Sequence, residues 1–229
     1  HSFPTRRSSD LSWLQLDTDA TDHIVISSRI RLARNFDGIL FTNRNDMSSL
    51  EKVNTISRGL LQPLKEADGH QYSNINLEQL SERERAILVE KHLMSPALEE
   101  KLPYRNLVVS DDASIVIMVN EEDHLRIQSM VSGLRLEVAY ERILKIDKAI
   151  EGKYPYAFDE RFGYLTACPT NVGTGLRASV MLHLPALTIS GKITRLIRSI
   201  IQLGYSVRGL YGEGSEALGN IYQISNQRT

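Results

Sequence analysis

Residues 23–32 read His-Ile-Val-Ile-Ser-Ser-Arg-Ile-Arg-Leu, and this alternation restricts the fold more than any other stretch. Ile24, Ile26, Ile30 and Leu32 share one parity, whereas Ser27, Arg29 and Arg31 share the other. Successive side chains of an extended chain point to opposite faces, so the run is a half-buried strand with arginines on its second face. Arginines two apart on a strand lie about 6–7 Å apart on one face, close enough to grip neighbouring phosphate oxygens. A solvated strand face is the competing reading, and the nearby Arg34 shifts the balance towards an anion site.

The remaining periodicities fit a mixed fold. Ser48 to Leu61 predicts a short helix with a serine cap, and Asp68 to Asn76 reads as loop. Ser81 to Leu102 predicts a second helix, opened by a Ser81–Glu84 capping box and broken or kinked at Pro96. Residues 107–110 and 114–119 are apolar strands around the Asp111-Asp112 turn, and Leu125 to Val131 continues as strand. Leu136 to Ile150 is a one-faced apolar helix, Tyr164 to Cys168 a short strand, and the run Ala178 to Leu184 stops at Pro185. A long helix spans Thr188 to Leu203 and ends at Gly204. Residues 205–215 read as strand and then a glycine-rich loop, and another strand begins at Ile221. Hairpin-joined strands with unevenly spaced helices predict α+β, a largely antiparallel sheet flanked by helices.

Composition narrows the function classes. A net charge of −1 gives no global field for nucleic acid, so an anion site has to come from clustered arginines. The single cysteine rules out an internal disulfide and a multi-cysteine zinc site, and it fits a reducing cytoplasm. No apolar run reaches the roughly 18 residues that span a bilayer, so no membrane partner is expected. Residues 1–11 lack an initiator Met and any periodicity and read as a non-native leader. The chain stops just after the strand-like run from Ile221, which reads as a fragment.

The chemistry gathers in three places. Cys168 to Arg177 puts the one cysteine, a glycine-punctuated loop and an arginine within ten residues, read as either a catalytic loop facing an anion or a buried structural thiol before a turn. Residues 120–126, Asn-Glu-Glu-Asp-His-Leu-Arg, concentrate acids, a histidine and an arginine after a buried strand. They suit either a charged substrate or, as adjacent acids, a two-metal site. Arg208 and Glu213 share the loop after the last long helix. The Walker, dinucleotide, zincin and protein-kinase motifs are missing. If Arg29, Arg31, Arg126, Arg177 and Arg208 converge, they form a polyphosphate clamp beside a small carboxylate pocket.

Taken in order, residues 27–35 (Ser-Ser-Arg-Ile-Arg-Leu-Ala-Arg-Asn), 120–126, 168–174 (Cys-Pro-Thr-Asn-Val-Gly-Thr), 177–180 (Arg-Ala-Ser-Val) and 208–213 (Arg-Gly-Leu-Tyr-Gly-Glu) resemble the successive signatures of the phosphagen (guanidino) kinase catalytic domain. With only 26 residues before the Ser-Ser-Arg strand, and with residues 171–177 and 212–220, the chain is most similar to the bacterial protein-arginine kinase branch. The resemblance implies that residues 12–229 are an incomplete catalytic domain of this type, moving the γ-phosphoryl of ATP to a guanidinium nitrogen of protein arginine. It implies Glu122 and Glu213 as the carboxylates that hold and deprotonate the guanidinium, Glu122 being the base, with Cys168 tuning it without a covalent intermediate. Nucleotide contacts would come from Ser27, Ser28, Arg29, Ile30, Arg31, His92, Arg126, Arg177, Ala178, Ser179, Val180, Met181, Arg208, Gly209, Leu210, Tyr211 and Gly212. Mg²⁺ would be held through nucleotide and water rather than by the protein. Implied partners are proteins with exposed arginines, a zinc-binding activator protein, a heat-shock repressor and a Clp protease, and a homodimer is compatible. A kinase of free arginine or another small guanidino compound, and a non-catalytic nucleotide- or phosphoarginine-binding fragment, are the alternatives.

Overall fold

The computed structural model describes residues 23–209 and 218–227. Eight strands form one sheet: β1 (Val25–Arg34), β2 (Tyr72–Asn76), β3 (Asn106–Ser110), β4 (Ile115–Val119), β5 (Leu125–Ser132), β8 (Leu176–His183), β9 (Tyr205–Gly209) and β10 (Ile221–Asn226). Their order is β2-β3-β4-β5-β1-β8-β10-β9, antiparallel throughout, and β6 (Phe158–Asp159) with β7 (Gly163–Tyr164) makes a separate ribbon. The expected α+β architecture is present. The alternating run at 25–34 lies in the middle of the sheet, between β5 and β8. A bulge between Val25 and Ser27 shifts the register, which leaves Ile24 outside the alternation and 52% exposed.

Ile30 and Leu32 of β1 join Ile115, Ile117 and Ile127 on one face of the sheet. Three helices cover that face: α1 (Met47–Arg58), α2 (Leu61–Asp68) and α4 (Leu136–Glu151). α4 contributes Ala139, Ile143, Ile146 and Ile150, one helical stripe with no exposure. Each such Ile or Leu contributes about 1.5–3 kcal/mol by leaving water. The opposite face is divided. Over β3 and β4 it is apolar, with Leu107, Val116 and Met118 beneath Leu88, Leu93 and Leu98. Beyond β5 the same face carries polar and charged side chains.

Several boundaries differ from the sequence expectation. The cap of α1 is Asp46, whose carboxylate accepts from the Ser49 amide, not Ser48. β2 occupies part of the expected 68–76 loop. It is an edge strand with only Tyr72 buried, so no apolar alternation announces it. The Ser81–Glu84 capping box is present, but α3 (Glu82–Glu90) ends well before Pro96. The chain turns left-handed at His92 (φ 58°), and the Leu93 and Met94 amides donate back to the Leu88 carbonyl. Leu93 and Met94 are thereby buried in the second core, and this packing ends the helix before the proline. Of the expected 164–168 strand only Tyr164 lies in a paired strand, together with the preceding Gly163. The long helix expected at 188–203 is two, α5 (Pro185–Ile189) and α6 (Ile193–Gln202), parted at Gly191 with φ 69°. Among the described residues no helix is long and apolar enough to cross a membrane.

Candidate active site

The register places the anion-binding candidates in transverse rows on one face, because directly paired residues of antiparallel strands point the same way. Arg31 of β1 lies opposite Gln128 on β5 and Arg177 on β8. Arg29 is one row on, opposite Met130 and Ser179, and Ser179 pairs with Ser225, which in turn pairs with Ser206. Ser27, Met181, Gln223 and Arg208 form the next row. Arg126 pairs with Ala33, diagonal to Arg31. So Arg29, Arg31, Arg126, Arg177 and Arg208 share one face, the convergence that spacing alone could not establish. Ser28, Ile30, Ala178 and Val180 have the opposite parity. Ser28 is fully buried, donating to the Gly133 carbonyl and accepting from the Arg135 amide. Ile30 is core and Ala178 packs against it.

Neutral acceptors hold Arg29 and Arg177 on this face. Arg29 Nη2 donates to Gln223 Oε1 at 2.8 Å and its Nε to Ser179 Oγ at 3.3 Å. Arg177 donates through Nε and Nη2 to Ser225 Oγ and through Nη2 to Ser206 Oγ, at 3.0–3.2 Å. Burial and then the charges of Arg126, Arg177 and Arg208 push the Arg29 guanidinium down to about 10. Arg31 is held well below its ordinary value by burial and then by Arg29, Arg126, Arg177 and Arg208. Like charges so arranged repel strongly at partial burial, and a polyanion laid across them relieves that repulsion.

A pocket opens beside Arg29, lined by Ser27, His92, Met130, Ser179, Met181 and Gln223. His92 arrives there because the α3 cap turns it over the sheet, where its carbonyl accepts from Gln128 Nε2 at 2.9 Å. Burial, and then Arg29, push its pKa down and favour the neutral ring. A short motif gave His92 little support, yet the fold sets it against Arg29.

The acids lie on the β4–β5 turn at the rim of this face. Arg126 bridges two of them, with Nη1 2.8 Å from Glu121 Oε2 and Nη2 3.3 Å from Glu122 Oε2. Glu121 is largely buried and also accepts from Ser95 Oγ at 2.9 Å, whereas the Glu122 side chain is 42% exposed. The Thr42 hydroxyl donates to the Glu122 carbonyl. Asp123 is buried and accepts from Asn35 Nδ2 and the Ala167 amide, each at 2.7 Å. His124 Nδ1 accepts from the Phe36 amide at 3.0 Å, so Nε2 carries the proton and donates to the Leu40 carbonyl at 2.9 Å. Arg126 thus takes Glu121 and Glu122 while Asp123 turns away to Asn35 and Ala167, so among the described residues the three acids do not converge on one metal-reach cluster. Among the described residues, the metal-reach cluster is His70, Asp111 and Asp112, beside the edge strands.

Cys168 is half-buried at the start of a 3-10 turn, Pro169–Asn171, with Sγ 3.0 Å from Thr170 Oγ1. Asn171 Nδ2 reaches Glu122 Oε2 at 3.5 Å, so the thiol loop and the exposed acid are neighbours. Arg34 anchors the far end of the loop. It does not join the anion face as its proximity in sequence suggested. Buried, it pairs with Asp147 at 2.8 Å, stacks its guanidinium 3.7 Å from the Tyr164 ring and donates to the Thr174 carbonyl. A Cβ on Gly175 would come within 2.7 Å of the Ala33 carbonyl oxygen and 2.8 Å of Arg34 Nη1, and φ there is 62°. Gly209 ends β9, while Glu213, Leu210, Tyr211 and Gly212 lie outside the described residues.

The C-terminal catalytic domain of the ATP:guanido phosphotransferases matches residues 52–229. The chain belongs to this family. Protein-arginine kinase of Syntrophomonas wolfei is 48% identical over 220 residues, 96% of this chain and 61% of its own length. That of Halothermothrix orenii is 49% identical over 206 residues, 90% of this chain and 58% of its own. The chain therefore spans about three fifths of the curated relatives it matches. A duplicated taurocyamine kinase of Schistosoma mansoni, solved with bound transition-state analogue components, superposes with a TM-score of 0.78. It is 31% identical, covering 98% of this chain and 32% of that one. A lombricine kinase superposes with a TM-score of 0.74 at 26% identity, covering 97% of this chain and 64% of that one. The guanidino-kinase match begins at residue 52 and does not include β1, which contributes two of the arginines on the face.

Sequence reading missed Gln223, Ser225 and Ser206, which hold the arginines, and Asp147, which holds Arg34. The first three alternate with apolar residues on β9 and β10, a signal that shows only once those strands join the arginine sheet.

Proposed function

We propose that this chain phosphorylates arginine side chains of proteins, transferring the γ-phosphoryl of ATP to a guanidinium nitrogen. One observation carries the reading: Arg126 spans the junction between the arginine face and the exposed Glu122, which sits against the Cys168 loop. Phosphates laid on Arg29, Arg31, Arg177 and Arg208 would put their terminal group beside that acid. Phosphoryl transfer through a loose transition state needs mainly alignment and charge stabilisation, which fixed guanidinium forks supply. The acceptor guanidinium has a pKa above about 12 and is a poor nucleophile until a base takes its proton. Glu122 is that base in this reading, Glu213 the second carboxylate and Cys168 the group against the guanidinium.

The pocket of His92, Met130 and Met181 suits the flat base and ribose of the nucleotide. Mg²⁺ would neutralise phosphate charge when bound. Among the described residues the arginine face offers no three-carboxylate or histidine cluster, which fits an ion held by phosphate and water. The relatives named protein-arginine kinase support proteins as acceptors over free arginine. The cytoplasm, where ATP is supplied, is the compartment of this reading. The activator, repressor and protease implied by the resemblance, and a homodimer, belong to it as well and are tested by co-purification. Incubating the chain with Mg-ATP and either an arginine-rich protein or free arginine separates the acceptors. Phosphoarginine in the protein is expected, and transfer to free arginine alone would overturn the reading.

A further inference from the structure

Asp123 belongs to the acidic run, yet its carboxylate does not reach the arginine face. It is 2% exposed and accepts from two donors on one oxygen: Asn35 Nδ2 of the segment after β1, and the backbone amide of Ala167. Ala167 immediately precedes Cys168, and Asp123 immediately follows Glu122. A second tie reinforces the connection, because Asn35 Nδ2 also donates to the Leu165 carbonyl at 3.1 Å. On the loop side the Thr166 hydroxyl donates to the Cys168 carbonyl at 2.7 Å. Charge-assisted bonds to a buried carboxylate are among the stronger hydrogen bonds, and removing the acceptor strands the buried Asn35 amide and the half-buried Ala167 N–H.

We infer that Asp123 is a positioning residue: it latches the Cys168 loop to the Glu122 turn and so sets the spacing between thiol and base. Glu122 is itself exposed, and its carboxylate meets the loop through Asn171 at 3.5 Å, so the buried neighbour carries the alignment. The role rests on the arginine-kinase reading for its catalytic consequence and on geometry alone for the latch. A displacement of about 1 Å between reacting groups can slow a reaction by roughly a hundredfold. The nucleotide face stands on the sheet and does not depend on this bond.

The test uses the full chain, with Asp123→Ala and Asp123→Asn. Asp123→Ala should lower kcat for protein phosphorylation about 10–100-fold, with KM for ATP changed by less than about threefold. Hydrogen exchange at the Ala167 amide and iodoacetamide alkylation of Cys168 should each speed up at least about fivefold, while the β1 amides keep their protection. Asparagine keeps a carbonyl acceptor, so Asp123→Asn should hold kcat within about fivefold of the parent, with smaller rises in exchange and alkylation. If Asp123→Ala fails to fold, those two rises in Asp123→Asn carry the test alone. Unchanged exchange and alkylation in a folded variant overturn the latch, as does a loss of protection spread evenly over the sheet. A parent chain without phosphoryl transfer would count against the kinase reading, while exchange and alkylation would still decide the latch.

Discussion

Replacing Arg31 by methionine should make the ligand-free protein no less stable while weakening nucleotide binding. Methionine keeps the stem that packs on the sheet and removes only the charged head. Arg31 sits two residues from Arg29 on one strand, about 6–7 Å away, and directly opposite Arg177. At an effective dielectric of about 20, two unit charges 7 Å apart repel by about 2.4 kcal/mol. Salt and splayed side chains reduce this, leaving roughly 1–2 kcal/mol of relief when one charge goes. For a chain of this size that corresponds to a rise of about 2–8 °C in ligand-free Tm. Each lost charge-assisted contact to phosphate costs about 1.5–3 kcal/mol, a 10–100-fold loss of ATP affinity. Thermal unfolding with and without Mg-ATP, together with calorimetric titration, reads both quantities. A lowered ligand-free Tm with unchanged ATP affinity would refute the view that this face is strained by charge for the sake of a polyanion.

Gly175→Ala should destabilise by about 1–3 kcal/mol in urea unfolding, since it combines a left-handed φ with contacts below 3 Å to Ala33 and Arg34; wild-type stability would show that the loop moves freely. Asp147→Asn leaves Arg34 buried without its countercharge and should cost about 3–5 kcal/mol, read in the same assay. Burial pushes the His124 pKa down, so below about 6.5 the unfolded chain binds more protons than the native one. Its contribution is therefore full above about pH 6.5 and is lost as pH falls through the lowered native value. The pair of His70 with Asp111 raises that pKa and acts in the opposite sense, present below about pH 6.5 and lost as pH rises through the native value. Urea unfolding at pH 7.5 and 5.5 should show a smaller acid loss in His124→Asn than in the parent, and an equal loss would contradict the burial argument.

How far the chain could be read in advance depended on whether a residue's role was local. The β1 alternation from Arg29 to Leu32, the Asp111-Asp112 hairpin and the Ser81–Glu84 cap are set by neighbours within a few positions and appear as expected, whereas the bulge after Val25 puts Ile24 outside the pattern. The end of α3 is decided by burial of Leu93 and Met94 in the second core, so Pro96 misled. Arg34 shows the same limit from the other side. It stands in a run of arginines, but its partner Asp147 is 113 residues away on α4. The 120–126 cluster could be recognised as chemistry, but not divided into an exposed acid, an arginine anchor and a latch. That division depends on Ser95, Asn35 and Ala167, which meet it only in three dimensions.

The most direct test of the account is phosphoarginine formation in an arginine-rich protein incubated with Mg-ATP, measured by mass spectrometry under non-acidic conditions for the parent chain and Glu122→Gln. Phosphoarginine is expected with the parent and at least a hundredfold less with Glu122→Gln, whose Tm and nucleotide affinity stay near those of the parent. Turnover by a folded Glu122→Gln at the parent rate would contradict it.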